Sequence, residues 1–278
     1  MHPLSLGYSP CPNDTFVFYA LVHGRLSGAP RCRPVLEDIE TLNRLAAAER
    51  LDLIKASFHA FAHLRSAYCL LHAGGALGRG CGPLVVARTA MDPADLRGQR
   101  VAIPGRLTTA ALLLRLFAPQ LEQLEVMSFD RILPAVARGE VDAGVIIHES
   151  RFTYPQHGLT RVLDLGEWWE ETTGRPIPLG GILARRELGA ARIGEVDQAL
   201  KQSVEYAWAH REEVRGYVRA HAQELEDRVA EAHIQLYVNA HTLDYGPEGE
   251  AAIADLLERA AAAGVVPRSD LPLFVDRP

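Results

Sequence analysis

Two stretches of this chain follow one pattern, and that repeat limits the folds open to it. Residues 45–58 read Leu-Ala-Ala-Ala-Glu-Arg-Leu-Asp-Leu-Ile-Lys-Ala-Ser-Phe, and residues 135–148 read Ala-Val-Ala-Arg-Gly-Glu-Val-Asp-Ala-Gly-Val-Ile-Ile-His. Each is an amphipathic helix, a short turn, an apolar-Asp pair and a strand. Asp52 and Asp142 align at an offset of 90. Both strands are apolar almost throughout, as a parallel strand covered on two faces should be. A second correspondence lies upstream. Leu4–Tyr8 reads as a strand, followed by the turn Ser9-Pro10-Cys11-Pro12 and a helix start at Asn13-Asp14-Thr15. Arg100–Ile103 reads as a strand, followed by Pro104-Gly105 and a helix start at Thr108-Thr109. Pro34–Leu36 and Glu125–Met127 form a weaker third pair of strands. Each half therefore spells strand–helix–strand–helix–strand, the grammar of a mainly parallel sheet flanked by helices.

The segments Gly82–Arg88 and Leu179–Arg185 are apolar, extended and end in Ala-Arg. Each closes one half, so they read as two crossings between lobes. The expected organisation is a discontinuous first lobe, 1–88 plus 183–278, and a second lobe, 89–182. A length of 278 residues suits two such lobes. The tail carries helical spacing over 195–225 and 248–263, with Gly264 as a stop.

Composition removes several function classes. The net charge is −6, and the Lys and Arg residues form no basic run, which argues against nucleic acid. No apolar run approaches the ~18 residues of a membrane span, and Met1-His2-Pro3 lacks the basic start of a secretory signal. Cys11, Cys32, Cys69 and Cys81 form no CxxC pair, so reduced thiols and a cytoplasmic setting are expected. No GxGxxG follows a strand, and neither a P-loop nor a GxSxG elbow occurs. The run Gly74–Gly80 lacks the lysine of a phosphate loop and reads as a turn. His59, His63 and His72 lie close in sequence without the acidic or cysteine partners of a metal site.

In open parallel sheets, ligands sit beyond the carboxyl ends of the strands. Two facing sheets would bring the loops 9–15, 56–59, 104–109 and 147–151 to one cleft. Thr108 and Thr109 open a helix whose free N–H groups and dipole suit a carboxylate, although one of them also reads as a plain N-cap. Asn13 and Asp14 occupy the corresponding place in the first lobe. Asp14 would repel an anion, so it reads better as orienting a neighbour or bonding a hydroxyl. Ser57 follows a strand and either donates to a ligand or is bonded to backbone. His148 is the most informative of the eleven histidines. It ends a strand, faces the expected cleft and can accept a proton near neutrality. Glu149 points to the opposite side of an extended chain and reads as a helix-start charge or an ion-pair partner. Trp168 and Trp169 read as core or lobe–lobe packing, with contact to a ligand ring as the alternative.

Four motifs, taken together, carry a family resemblance. Ser9-Pro10-Cys11-Pro12-Asn13-Asp14-Thr15-Phe16, Leu36-Glu37-Asp38, the Gly74–Gly80 run and Ile147-His148-Glu149-Ser150-Arg151-Phe152-Thr153-Tyr154 resemble the 1,4-dihydroxy-6-naphthoate synthases of the futalosine route to menaquinone. The match spans nearly the whole chain, with Val238-Asn239 and Gly246 in the tail. The resemblance implies a type II periplasmic-binding-protein-like α/β fold with a ligand cleft between two lobes. It implies a lyase that converts cyclic dehypoxanthinyl futalosine to 1,4-dihydroxy-6-naphthoate and dihydroxyacetone, with no metal or organic cofactor. By position it makes His148 the base and Ser57, Thr108 and Thr109 ligand contacts. The expected partner is a small carboxylate, not a nucleic acid or a membrane. Two rivals share the fold: the chorismate-dehydrating sister enzyme of the same pathway and a non-catalytic small-anion binding protein. Cys11, set between two prolines, invites a nucleophile reading, but no histidine is paired with it in sequence and the family chemistry needs no covalent intermediate.

Overall fold

The computed structural model describes residues 2–222 and 226–275. Residues 223–225, the end of the helical stretch expected over 195–225, lie outside the described residues.

Eleven strands among the described residues form two sheets: β1 Leu4–Tyr8, β2 Cys32–Leu36, β3 Leu53–Ser57, β4 Tyr68–Leu70, β5 Ala76–Gly78, β6 Leu84–Ala87, β7 Val101–Ile103, β8 Leu124–Val126, β9 Ala143–Ile146, β10 Thr160–Asp164 and β11 Ile177–Arg185. The first sheet runs β2-β1-β3-β11-β4, with β5 also paired to β11. The second runs β10-β6-β9-β7-β8. The repeat is visible in both. β1 pairs in parallel with β2 and β3, and β7 pairs in parallel with β8 and β9. The central strands β1, β3, β7 and β9 are buried at every position, which explains their mostly apolar runs. Gly7 makes one close approach possible, since a Cβ there would lie 2.6 Å from Leu51 Cδ1. Helices Pro12–Val22 and Thr109–Phe117 follow β1 and β7.

The parallel part of each sheet is narrower than expected. Beyond the parallel trio the strands are antiparallel, because each crossing segment returns alongside the third strand of the trio. β11 lies against β3, and β6 lies against β9. Sheet membership therefore changes before β6 and before β11, not at 88 and 183. An apolar run ending in Ala-Arg signals a buried strand but carries no mark of which sheet it joins. The two chain crossings lie side by side. Arg79 Nη2 donates to Gly174 O at 3.0 Å, and Gly80 N donates to Glu170 Oε1 at 2.7 Å. The Gly74–Gly80 run, expected as a turn, contains β5.

The tail is helical over Ala190–Ala209, Arg211–His221, Asp227–Tyr237, Ala240–Leu243 and Gly246–Ala262. It breaks at His210, inside the expected 195–225 stretch. Gly264 adopts φ +69°, a left-handed stop after the last helix. Helix Ala190–Ala209 packs on helix Pro12–Val22, where the buried Ser203 Oγ donates to Val17 O at 2.6 Å and accepts from Leu21 N at 3.2 Å. Helix Asp227–Tyr237 packs against the same first helix and β5, and so reaches the cleft. Among the described residues, no helix is long and apolar enough to cross a membrane.

Candidate active site

The cleft between the sheets holds about 700 Å³ of space, open mouth included. Asn13, Asp14, Ser57, Thr108, Thr109 and His148 all line it. The four loops identified from the repeat thus converge, though several of the groups they bring are already committed to partners.

On the first-lobe wall, Asp14 is a buried carboxylate with four donors. It accepts from Lys55 Nζ at 2.9 Å, Ser9 N at 3.1 Å, Ser9 Oγ at 2.9 Å and Asn13 Nδ2 at 2.9 Å. The Lys55 and Asp14 side chains are only 7% and 3% exposed. A buried pair survives when its remaining polar atoms are also satisfied, and the other Asp14 lone pairs are met by Ser9 and Asn13. Asp14 therefore presents no bare charge to an anion. Asn13 is spent in the same network, since its Oδ1 accepts from Cys11 Sγ at 2.8 Å. Burial pushes the Cys11 thiol well above its ordinary range, and Asp14 and Glu149 add to the shift. A protonated buried thiol is a poor nucleophile.

The lobes touch through Thr108 and Thr109. Thr108 is the N-cap of helix Thr109–Phe117: its Oγ1 accepts from Ala111 N at 3.2 Å and donates to Gly105 O at 2.8 Å. Thr109 Oγ1 accepts from Phe58 N at 3.0 Å and donates to Leu179 O at 2.5 Å. Both hydroxyls, expected to face a ligand, are thus engaged within the protein. The donors left at this helix start are backbone groups. Among the described residues, no acceptor meets the N–H of Thr109 or Ala110. Ser57 is held by Asn43, whose Oδ1 accepts from Ser57 N at 3.0 Å and whose Nδ2 donates to Ser57 Oγ at 3.2 Å and to Leu107 O at 3.4 Å. His59 adds a further lobe–lobe contact, with Nδ1 3.2 Å from Thr108 O. Burial pulls the His59 pKa down to about 4, so the ring is neutral and donates through Nδ1.

His148 follows β9 with φ +55°. A left-handed backbone is uncommon outside glycine and carries strain that the surrounding structure must support. The turn redirects the chain into helix Ser150–Thr153, with Arg151 N donating to His148 O at 3.3 Å. The ring packs edge-on to Phe129 at 5.2 Å and lies 6.2 Å from the His233 ring. Glu149 takes the cap position of that short helix and is 4% exposed. Arg151 lines the cleft and pairs with Asp164 at 2.7 Å. Asp164 in turn caps helix Leu165–Thr173 through Gly166 N at 2.8 Å and Glu167 N at 3.2 Å.

Lys55, Arg151 and His233 line the cleft but were not singled out from the sequence. Lys55 had a signal, as the lone charge in the buried run Leu-Ile-Lys-Ala-Ser. Arg151 stood inside the His-Glu-Ser-Arg motif. His233 lies on a tail helix with no local mark. The metal-compatible grouping among the described residues is His148, Glu149 and His233, with donor atoms within 4.8 Å of one another. The His59, His63 and His72 trio does not converge: His72 pairs with Glu250 at 3.0 Å. Trp169 is buried and donates from Nε1 to Pro176 O at 3.2 Å. Trp168 packs edge-on to Phe117 at 5.5 Å. Both are packing residues.

Known proteins resemble this chain in sequence and fold. Residues 4–262 match the family described as menaquinone biosynthesis. A Thermus thermophilus protein named 1,4-dihydroxy-6-naphthoate synthase is 58% identical over 275 residues, covering 99% of this chain and all of that protein. A solved structure from Archaeoglobus fulgidus is 38% identical, with a TM-score of 0.90 over 95% of this chain and 99% of its own. A Candida albicans protein described as having the generic periplasmic binding protein fold is 15% identical, with a TM-score of 0.69 over 97% of this chain and 92% of its own, a likeness of fold alone. The fold is the two-lobed α/β architecture of periplasmic binding proteins, and the chain belongs to the menaquinone biosynthesis family.

Proposed function

We propose that this protein is a 1,4-dihydroxy-6-naphthoate synthase, a carbon–carbon lyase that takes cyclic dehypoxanthinyl futalosine to the naphthoate and dihydroxyacetone. The observation that carries the reading is His148, held on a left-handed turn at the end of β9 and facing a cleft with open backbone donors. The N–H groups of Thr109 and Ala110, at the positive end of their helix, suit the substrate carboxylate. Ser57, fixed by Asn43, and Lys55, fixed by Asp14, shape the opposite wall. With the carboxylate anchored, the reacting end of the substrate lies toward His148, which accepts the proton whose loss starts the fragmentation. Aromatisation of the product drives the step, and the lobe–lobe contacts exclude water.

The test is to incubate the purified protein with the cyclic futalosine and follow the naphthoate by absorbance. Catalytic formation of naphthoate and dihydroxyacetone in equal amounts supports the reading. Stoichiometric retention without turnover supports a binding protein instead. Dehydration of chorismate, with the cyclic futalosine unchanged, supports the sister activity.

A further inference from the structure

We infer that His233 is a second substrate-contacting imidazole, set opposite His148 so that one substrate oxygen bridges the two rings. This rests on the function proposed above. His233 belongs to the tail helix Asp227–Tyr237, which packs on the first lobe, while His148 belongs to the second. It lines the cleft, yet is only 1% exposed. Neither ring nitrogen has a hydrogen-bond partner among the described residues. A buried polar group without a partner is rare and calls for an explanation, and a ligand in the cleft supplies one.

The geometry fits a shared oxygen. The relevant nitrogens of His148 and His233 lie within 4.8 Å of each other without a hydrogen bond between them, and the rings are inclined by only 29°. An oxygen at ordinary hydrogen-bond distance from both nitrogens spans such a gap. Phe152 and Tyr237 hold the His233 ring from the sides, at 6.4 and 4.5 Å between centroids. The titratable groups facing it are His148, Glu149, Lys55 and Tyr237. Burial first, then His148 and Lys55, push its pKa well below the ordinary value. The ring is neutral, with one N–H to donate. A neutral imidazole can stabilise an oxygen that gains negative charge as His148 removes a proton. Two imidazoles and a carboxylate also form a metal-ligand set, which the test below distinguishes.

The experiment uses the full chain and the variants His233→Phe and His233→Gln, assayed with the cyclic futalosine. His233→Phe is expected to lower kcat by about a hundredfold or more with a smaller change in KM. His233→Gln, which restores an N–H, recovers at least about tenfold of that loss. Both keep the wild-type shape of the kcat/KM pH profile, because a neutral His233 does not titrate in the working range. The inference is overturned by near-wild-type kcat in His233→Phe, by a Gln variant no better than Phe, or by loss of the acid limb in either variant. Activity removed by a chelator and restored by zinc overturns it in favour of a metal site. If the wild-type protein does not turn over the cyclic futalosine, the proposed function fails separately. Histidine ring ¹⁵N resonances with added 1,4-dihydroxy-6-naphthoate then decide the inference: a His233 N–H shift sustains it and no shift ends it. The same resonances decide if the Phe variant does not fold.

Discussion

The two parallel trios share one topology and finish their strand ends with opposite chemistry. The first trio builds its wall from side chains: Asp14 is bonded to Lys55 and Asn13, and Asn43 to Ser57, before any ligand arrives. The second builds from backbone: two open amides at a helix start and a left-handed His148. At the 90-residue offset Lys55 falls on Val145 and Phe58 on His148. A repeated scaffold thus yields one fixed wall and one reactive wall. Under the proposed function, proton transfer falls on the second wall, where His148 stands at the end of β9.

That contrast can be broken by substitution. The largest expected effect is on the reactive wall. His148→Ala should lower kcat by about a thousandfold or more while the thermal melt and product binding are largely kept. Undiminished kcat would remove the distinction between the walls. On the fixed wall the loss should fall on stability. Lys55→Met leaves the Asp14 carboxylate buried without its cation and should cost about 3–5 kcal/mol in urea unfolding. Adding Asp14→Asn should recover much of that; no recovery would mean that the pair does not act as a unit.

Acid should loosen the seam between the walls. His59 titrates near 4 when folded but near 6.5 when unfolded. The unfolded chain therefore binds the extra proton first. Stability is full above pH 6.5, falls as pH drops toward 4 and levels below it, an integrated loss of about 3 kcal/mol from this residue. His59→Asn, followed by urea unfolding at pH 4.5 and 7.5, should flatten the dependence. Thr109→Val addresses the seam more gently. Phe58 N and Leu179 O lose their partner, so closure should weaken by about 1–3 kcal/mol, read as weaker product binding by calorimetry. An unchanged affinity would show that the Thr109 hydroxyl does not hold the lobes together. Cys11→Ser should change least and retain most activity. Complete loss with normal folding would restore a covalent role for the thiol.

What could be read from the sequence was local. β1 is legible because five buried positions lie between a polar start and a Pro-rich turn. The loops at strand ends were legible because the repeat located them twice. Commitments made across long separations were not. Asp14 meets Lys55 from 41 residues away, and Thr109 meets Leu179 from 70 residues away. A threonine at a helix start looks the same whether its hydroxyl awaits a ligand or bonds a distant carbonyl. His233 enters from a helix whose spacing predicts only packing. The sheet boundaries were misplaced because a strand that crosses between lobes is equally apolar on either side.

The paired crossings near Arg79 and Gly174 have a mechanical meaning. Two straps joined to each other by Arg79–Gly174 and Gly80–Glu170 bonds act as a piano hinge, not a ball joint. Such a pair resists twisting and sliding of one lobe over the other more than it resists a swing about the strap line. A substrate that draws the lobes together then has one soft coordinate to arrest, so little of its binding energy is lost to ordering them. The angle at which the His148 face meets the first-lobe wall is set by that axis before the substrate arrives.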